Sequence, residues 1–560
     1  MDNYRRPGGR DSQFIVRQNN TQVFSYIPPH KTKEPEPNKD RASAVIDGLA
    51  SVFRIIIFAL ASLLTSLLIF LSYPKHSISL LAWVALVPFL ACLKKTKTFI
   101  GAGFYGWFTG FVVYCGLLYW IYYTCRAGGL SPQLSLGALA ALCFIMAFQF
   151  SLFSVFIFYA RRTNYLFPLI AAAGWVTFEF AHAAAAYNFL GFPWFMMGYS
   201  QWNQPVFLQA ASFGGVFAVS FALVFVNAAF ASMFTLKNFA ERALPALMAA
   251  FVFFAVFMFG KQRLNQPIPF TRNVKISVLQ PNIDQYKKWD SAFVDEIESI
   301  LTEQIDIASG FGPDIVLWPE TALPGPAQTE KYMDWLKRIS QQTQAYQLVG
   351  STMETEDANF VSAYLFNRQG GLTSVYNKQV LVPFGEYIPF ADNLSNFNIS
   401  GLGAFLQGLG AFTPGDRNQP LQTLDNIPFG TMICYESIFP QLWHSADSKG
   451  AKIFFNLTND GWYLNTSAPY QHFAANVIRA VEFGKPVVRS ANTGISGWID
   501  AFGRVKEVTK LGDRTVMNLT VPLNENLTQT TYSRYGDVFA YICIIFFLTA
   551  AFTAFVISNE

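Results

Sequence analysis

The stretch Phe429-Gly430-Thr431-Met432-Ile433-Cys434-Tyr435-Glu436 runs an apolar strand into a thiol and then an acid. The 560-residue chain has six cysteines. Cys92, Cys115, Cys143 and Cys543 lie within long apolar runs and Cys125 lies at the edge of one, so only Cys434 falls in the one long polar stretch. With no partner thiol nearby it is either an inert core residue or a nucleophile. Alone, a thiol at a strand end is more often inert. Two further segments reverse that reading.

The surroundings of that stretch are apolar: 52% of residues are hydrophobic, 14% are charged and Phe occurs 57 times. The apolar residues form blocks of about 20, the length that crosses a bilayer as a helix. They fall at about 52–73, 77–93, 98–122, 133–159, 165–186, 208–234, 243–260 and 536–557, with 77–93 and 243–260 the weakest. One such block reads equally as a buried core helix, but seven in succession make a membrane domain. The expected organisation is a disordered cytoplasmic tail over 1–44, a seven-span membrane domain over 45–260, a long polar domain over 261–533, and a last span with the C-terminus over 534–560. The tail is polar from Asp2 to Asp40, includes Lys31-Thr32-Lys33-Glu34-Pro35-Glu36-Pro37, and lacks the apolar core and cleavage site of a signal peptide.

Basic residues set an expected orientation. Arg41 and Arg54 precede or begin the first block, Lys94, Lys95 and Lys97 follow the second, Arg161 and Arg162 the fourth, and Lys237 and Arg242 flank the turn from sixth to seventh. The alternate turns carry only Lys75 and Arg126. Positive-inside bias then puts both termini in the cytoplasm and residues 261–533 on the other side. Glu179 is the charged residue found mid-span, with His182 one turn away as a possible partner. A net charge of +4 gives no reason to expect nucleic acid.

Within 261–533, β-rich runs alternate with amphipathic helices. Strands are expected at Val274–Leu279, Ile315–Trp318, Leu348–Ser351, Ala363–Phe366, Thr431–Cys434, Lys452–Asn456, Pro486–Ser490, Gly497–Ala501 and Val516–Val521, and helices at Ala292–Ile307, Glu330–Thr343 and Pro469–Phe483. Such alternation favours a sheet layered with helices. Besides the Cys434 segment, two strand ends stand out. In Leu317-Trp318-Pro319-Glu320-Thr321 a Pro-flanked turn presents Glu320. In Lys378-Gln379-Val380-Leu381-Val382-Pro383-Phe384-Gly385-Glu386-Tyr387, Lys378 precedes an apolar run and Glu386 occupies a Pro/Gly turn. Each alone reads as an ordinary surface acid or edge-strand lysine. Together an acid, a lysine and a thiol suit acyl transfer. Glu320 would deprotonate the thiol, Lys378 would stabilise the oxyanion, and Cys434 would carry the acyl group. His472, and His444 ten residues after Cys434, keep a Cys–His alternative open. There is no metal-ligand spacing and no phosphate loop, and no cofactor is expected.

Trp-Pro-Glu at 318–320, Lys378 followed by Leu-Val-Pro-Phe-Gly-Glu-Tyr at 381–387, and Ile-Cys-Tyr-Glu at 433–436 resemble, in order and spacing, the Glu-Lys-Cys motifs of the nitrilase (carbon–nitrogen hydrolase) superfamily. With that domain inserted before the last of about eight spans, the chain resembles the apolipoprotein N-acyltransferases. The resemblance implies a polytopic α-helical membrane domain plus an αββα-sandwich catalytic domain facing the periplasm of a bacterial inner membrane. It assigns Glu320 as base, Lys378 as oxyanion lysine and Cys434 as nucleophile, with Glu386, Glu436 and Tyr435 in support. Trp289 also falls at a family position, where plain packing reads nearly as well. One departure is Val361-Ser362-Ala363, with Asn359 two residues earlier, where the family commonly has Asn-Ser-Ala or Asn-Thr-Ala.

The reaction so implied moves an acyl chain from a membrane phospholipid to Cys434. It then passes to the α-amine of S-diacylglyceryl-cysteine at an apolipoprotein N-terminus, the last step of lipoprotein maturation. The partners are thus the phospholipid donor and the diacylated acceptor, and a monomer is the default. The alternative is a membrane-tethered amidase or nitrilase in which water resolves the thioester. A non-catalytic scaffold or a transporter is disfavoured by the intact Glu320, Lys378 and Cys434 and by the scarcity of mid-span charge. Phe397–Pro414, with glycines at 401, 403, 408 and 410, reads as either a buried loop or an arm bringing Phe405 and Phe412 to lipid over the site. Tyr187–Pro205, rich in Trp and Phe, suits a membrane interface.

Overall fold

A computed structural model of the chain describes residues 39–161, 163–188, 191–236, 238–267, 270–288, 290–389, 412–524 and 529–559. Residues 56–560 pack as one body, and the described part of residues 1–55 is the first half of helix α1 (Lys39–Ser72). After α1 come a 3-10 turn (Ser79–Trp83) leading into α2 (Val87–Leu93), then α3 (Phe99–Leu117) and the short α4 (Trp120–Ala127). Next are α5 (Pro132–Met146) followed at once by α6 (Phe148–Ala160), α7 (Phe167–Asn188), the single turn α8 (Pro205–Leu208), α9 (Ala211–Met233) and α10 (Phe239–Leu264). Sequences this apolar can leave water only if every backbone group is bonded within the segment, and a helix does that.

Among the described residues six helices are long and apolar enough to cross a membrane: Asp47–Ser72, Phe99–Leu117, Pro132–Ala160, Phe167–Asn188, Ala211–Met233 and Glu241–Leu264. The other two expected spans are shorter, at Ser79–Leu93 and Val538–Thr553. The first of these is broken between its 3-10 turn and α2, so neighbours must satisfy its freed backbone. Asn227 of α9 does so at both edges, accepting from Leu86 N at 2.7 Å and donating to Ala82 O at 2.9 Å. Thr65 Oγ1 accepts from Phe89 N at 3.2 Å. Despite its length this segment joins opposite ends of the bundle. Next to its start, Ser77 Oγ accepts from Trp202 Nε1 at 3.1 Å and Lys75 reaches Asn465 O of the catalytic domain at 3.4 Å. At its finish Lys94 meets Ser232 Oγ at 3.4 Å and lies 4.1 Å over the Phe167 ring.

Helices α3 and α6 approach closely because small residues face the contact. A Cβ on Gly106 would lie 2.1 Å from Ser154 Oγ. Glu179 and His182 do not pair. Glu179 Oε1 accepts from Trp175 Nε1 at 2.6 Å and from Met197 N at 2.7 Å, while His182 Nε2 lies 3.1 Å from Phe192 O. Both therefore fasten the aromatic segment between α7 and α9 rather than one another.

The catalytic domain holds two six-stranded sheets. The first has the order β12-β1-β2-β3-β4-β5, from β1 (Arg272–Gln280), β2 (Ile315–Leu317), β3 (Tyr346–Glu354), β4 (Asn359–Phe366), β5 (Leu372–Asn377) and β12 (Thr515–Leu523). The second has the order β11-β10-β9-β8-β7-β6, from β6 (Gln422–Leu424), β7 (Ile427–Ile433), β8 (Ile453–Thr458), β9 (Val487–Ala491), β10 (Gly497–Ile499) and β11 (Val505–Val508). Strands β1, β2 and β3 run parallel, as do β7, β8 and β9. Val278, Leu317, Leu348, Phe429, Phe455 and Leu519 belong to the apolar layer between the sheets. Helices α11 (Val294–Ser309) and α12 (Glu330–Thr343) close the outer face of the first sheet, burying Ile297, Leu301, Leu336 and Ile339. Helices α13 (Pro440–Ser448) and α14 (Ala468–Phe483) cover the second, giving the expected αββα sandwich. Strands β5, β6 and β11 were not expected from the sequence.

Apart from the half-buried Tyr470, helix α14 is buried along its length because its other side meets the membrane helices. There α9 is interrupted at Gly214 and Gly215, the latter at φ 67°. The helix restarts at Val216, whose N–H donates to Glu482 Oε1 of α14 at 2.8 Å. Glu482 in turn lies 2.9 Å from Arg479, also fully buried. Beyond the domain, α15 (Thr531–Tyr535) leads into α16 (Val538–Asn559). A Cβ on Gly215 would sit 2.5 Å from Tyr532 Cε2 and strain a left-handed residue. Gly215→Ala is therefore expected to destabilise by about 1–3 kcal/mol. It should lower the thermal midpoint in detergent, while Gly137→Ala, with open space around it, should not.

Candidate active site

Three strand ends converge. From β2 the chain passes through buried Trp318, whose indole donates to Gln347 Oε1 at 3.0 Å, and then presents Glu320. From β5 it reaches Lys378, whose N–H donates to Val361 O at 2.8 Å. The contact uses the Val361 backbone carbonyl and so does not depend on the side chain at that position. From β7 it reaches Cys434 at φ 50°, a left-handed conformation rare for a side-chain-bearing residue. The sharp turn opens a 3-10 helix over Cys434–Ile438.

Lys378 stands at the centre and is 0% exposed. Its Nζ donates to Glu320 Oε1 at 3.0 Å and to Glu386 Oε1 at 2.6 Å. Glu320 Oε2 accepts from Asn459 N at 3.0 Å, and Glu386 Oε2 from Val382 N at 2.8 Å. Burial opposes charge on Lys378, but Glu320, Glu386 and Cys434 outweigh it and hold the ammonium well above its ordinary range. The ammonium carries three N–H groups. With two taken by carboxylates, the third has no acceptor among the described residues. Burial likewise pushes the Cys434 thiol up, with Glu320 adding to the effect and Lys378 opposing it. That shift favours the protonated thiol, and a thiol of this kind needs a base before it can act as a nucleophile.

Glu436 ties two of the strand ends together. Its Oε1 accepts from Gln379 N at 2.6 Å, Val380 N at 3.3 Å and Tyr376 Oη at 3.0 Å, while Oε2 accepts from Ile433 N at 2.7 Å. Burial raises its carboxyl to about 7 against the pull of those donors. Tyr435, next to the thiol, stacks on Phe192 at 6.2 Å and Trp194 at 6.4 Å, in the segment between α7 and α9. Gln471 Oε1 fixes that segment, accepting from Trp194 Nε1 at 2.7 Å and Trp120 Nε1 at 3.1 Å.

The Cys–His alternative does not fit this arrangement. His472 Nε2 meets the carbonyl oxygen of Cys434 at 3.0 Å, and His444 pairs with Ser448 on α13. Trp289 and Phe405 lie outside the described residues. Phe412 is half-buried against the layer between the sheets, and its N–H donates to Glu386 O at 3.0 Å. Sequence reasoning missed Lys288, fully buried behind Glu320, whose Nζ donates to Thr321 Oγ1 at 2.9 Å and Glu320 O at 3.3 Å. Burial lowers its ammonium to about 7. It also missed Asn459 and Asp460, although their place after the apolar run Ile453–Thr458 is itself a polar strand end.

Residues 65–229 match the family model described as apolipoprotein N-acyltransferase N-terminal domain, and residues 275–526 match carbon-nitrogen hydrolase. The apolipoprotein N-acyltransferase of Geobacter metallireducens is 34% identical over 87% of this chain and 93% of its own. The chain belongs to the apolipoprotein N-acyltransferase family. That of Rickettsia bellii is 30% identical over 82% of this chain and 91% of its own. The solved amidase of Nesterenkonia sp. is similar over 49% of this chain and 98% of its own, at 16% identity and a TM-score of 0.36. As an apolipoprotein N-acyltransferase family member with these apolar helices, the protein is a multi-pass membrane acyltransferase. Because every partner of Glu436 named above is a donor, Glu436→Gln turns an amide N–H₂ against one of them. We expect a loss of about 1–3 kcal/mol, measured as a lower thermal midpoint, while exposed Glu303→Gln leaves it unchanged.

Proposed function

We propose that the protein N-acylates the α-amine of S-diacylglyceryl-cysteine at lipoprotein N-termini, taking the acyl chain from a membrane phospholipid through a thioester on Cys434. The observation that carries this reading is Tyr435. The neighbour of the thiol stacks on Phe192 and Trp194, which sit between two helices of membrane length. A nucleophile roofed in this way suits substrates that stay in the bilayer.

In the first half-reaction Glu320 takes the thiol proton and the thiolate attacks the ester carbonyl. The oxyanion faces the Lys378 ammonium in a site closed to bulk water, where such a charge acts strongly. Collapse breaks the C–O bond, and the lysophospholipid alkoxide takes the proton back from Glu320. In the second half-reaction the acceptor amine attacks the thioester, loses a proton to Glu320, and that proton returns to the departing thiolate.

Lys94, Lys95, Lys97 and Arg161 sit at the ends of membrane segments away from the catalytic domain, which supports a cytoplasmic position for those ends and a periplasmic one for the domain.

With purified protein, phospholipid and a diacylated lipopeptide, we expect an N-acylated peptide and stoichiometric lysophospholipid. Release of free fatty acid alone would favour the amidase alternative. Lys378→Ala should slow thioester formation on the order of 10²–10³-fold, as for a removed oxyanion donor. Glu320→Gln should slow it as well, and native rates in Glu320→Gln would move the base elsewhere.

For topology, cysteines are introduced at the exposed positions Thr355 and Lys97. An impermeant maleimide on spheroplasts should label Thr355→Cys and spare Lys97→Cys until lysis. The opposite pattern would invert the orientation.

A further inference from the structure

Beneath the nucleophile lies a buried polar chain that the reaction above does not use. His472 on α14 is fully buried, with Nε2 3.0 Å from the carbonyl oxygen of Cys434. A carbonyl can only accept, so Nε2 carries the proton. The other face of the ring meets Asp460 Oδ1, 2.8 Å from Nδ1, and Arg489 Nη2 at 3.1 Å. Arg489 Nη2 also donates to Asp460 Oδ2 at 2.7 Å, and its Nη1 donates to Asn456 Oδ1 at 2.7 Å. Asn456 Nδ2 closes the path by donating to Met432 O at 3.2 Å, two residues before the thiol. The imidazole is held on both sides whichever proton state Nδ1 takes.

Two properties of the Cys434 turn give this chain a use. Its left-handed backbone costs on the order of 1–3 kcal/mol for a residue with a side chain and must be held by its surroundings. Its carbonyl also belongs to the same rigid peptide as the Tyr435 N–H. That N–H lies in the first turn of the 3-10 helix, where the helix supplies no partner. A donor on the carbonyl therefore fixes the plane of this peptide and polarises its N–H, one bond from the reacting residue.

We propose that His472, braced by Asp460 and Arg489, is a positioning residue that locks the Cys434–Tyr435 peptide for oxyanion formation. This inference rests on the thioester reading above. Gln471, the preceding residue, grips Trp120 and Trp194, so one turn of α14 fastens both the aromatic roof and the nucleophile.

The test compares His472→Leu, of similar bulk without a donor, with His472→Gln, whose amide nitrogen can replace Nε2. Full-length protein in detergent is measured three ways: acylation of Cys434 by phospholipid, alkylation of Cys434 by iodoacetamide, and hydrogen exchange of peptides covering 433–438. Alkylation forms no oxyanion. We expect His472→Leu to lose acylation on the order of 10²-fold, as for a removed oxyanion donor, with much smaller loss of alkylation. His472→Gln should retain most acylation. Exchange at 433–438 should quicken in His472→Leu alone. Native acylation in His472→Leu, parallel loss of acylation and alkylation, or equal loss in both variants would overturn the proposal. If native protein forms no thioester yet is alkylated at Cys434, the transferase reading fails by itself. Exchange then decides the positioning role: quickening confined to His472→Leu upholds it, and equal exchange in all three proteins overturns it.

Discussion

A lysine ammonium with no exposed surface, held between Glu320 and Glu386, is the interaction on which the rest of this structure depends. An unpaired charge at that depth would cost several kcal/mol. The two carboxylates offset that cost, but each must then be held by something other than water. Asn459 N does this for Glu320 and Val382 N for Glu386. Loops from both sheets are thus committed to one ion. The same arrangement keeps a cation beside a thiol that burial leaves protonated. On the proposed reaction, oxyanion stabilisation is thereby prepared in advance, and the thiolate forms only when a base takes the proton.

The second constraint is the membrane. In a soluble domain of this layering the outer helices of both sheets would face water. Here α14 lies between the second sheet and α9, and it buries Arg479 with Glu482 and His472 with Asp460. One of those acids caps the restarted α9 at Val216, while His472 reaches the Cys434 carbonyl. Catalytic domain and membrane helices therefore share polar contacts as well as apolar surface, and the aromatic segment from Phe192 to Trp202 fills the space between them.

The convergence of Glu320, Lys378 and Cys434 was legible in the sequence because each sits at a strand end in a turn of Pro, Gly or a lone polar residue. Long parallel strands were legible as apolar runs, and β8, buried throughout, is the clearest. The strands missed were short or at an edge, such as β11, whose residues are mostly exposed and carry no core pattern. The apolar block at 77–93 did not reveal its break, because Asn227, which mends it, is 141 residues from Leu86. Lys288, Asp460 and Arg489 stayed hidden for the same reason: their partners are distant in sequence, and a buried charged side chain looks like a surface one until its partner is known. Glu179 and His182 show the converse, since helical spacing suggested a pair and the loop after α7 claimed each separately.

The most direct test of a covalent route through Cys434 is rapid-quench mass spectrometry of the intact enzyme. Protein loaded with phospholipid and freed of excess donor is mixed with diacylated lipopeptide and stopped at successive times. The account predicts one acyl mass on the peptide containing Cys434, lost at the rate at which the same mass appears on the lipopeptide α-amine, and no slower than steady-state turnover. Product formed while Cys434 stays unmodified, or an acyl group that leaves the thiol more slowly than product appears, would contradict it.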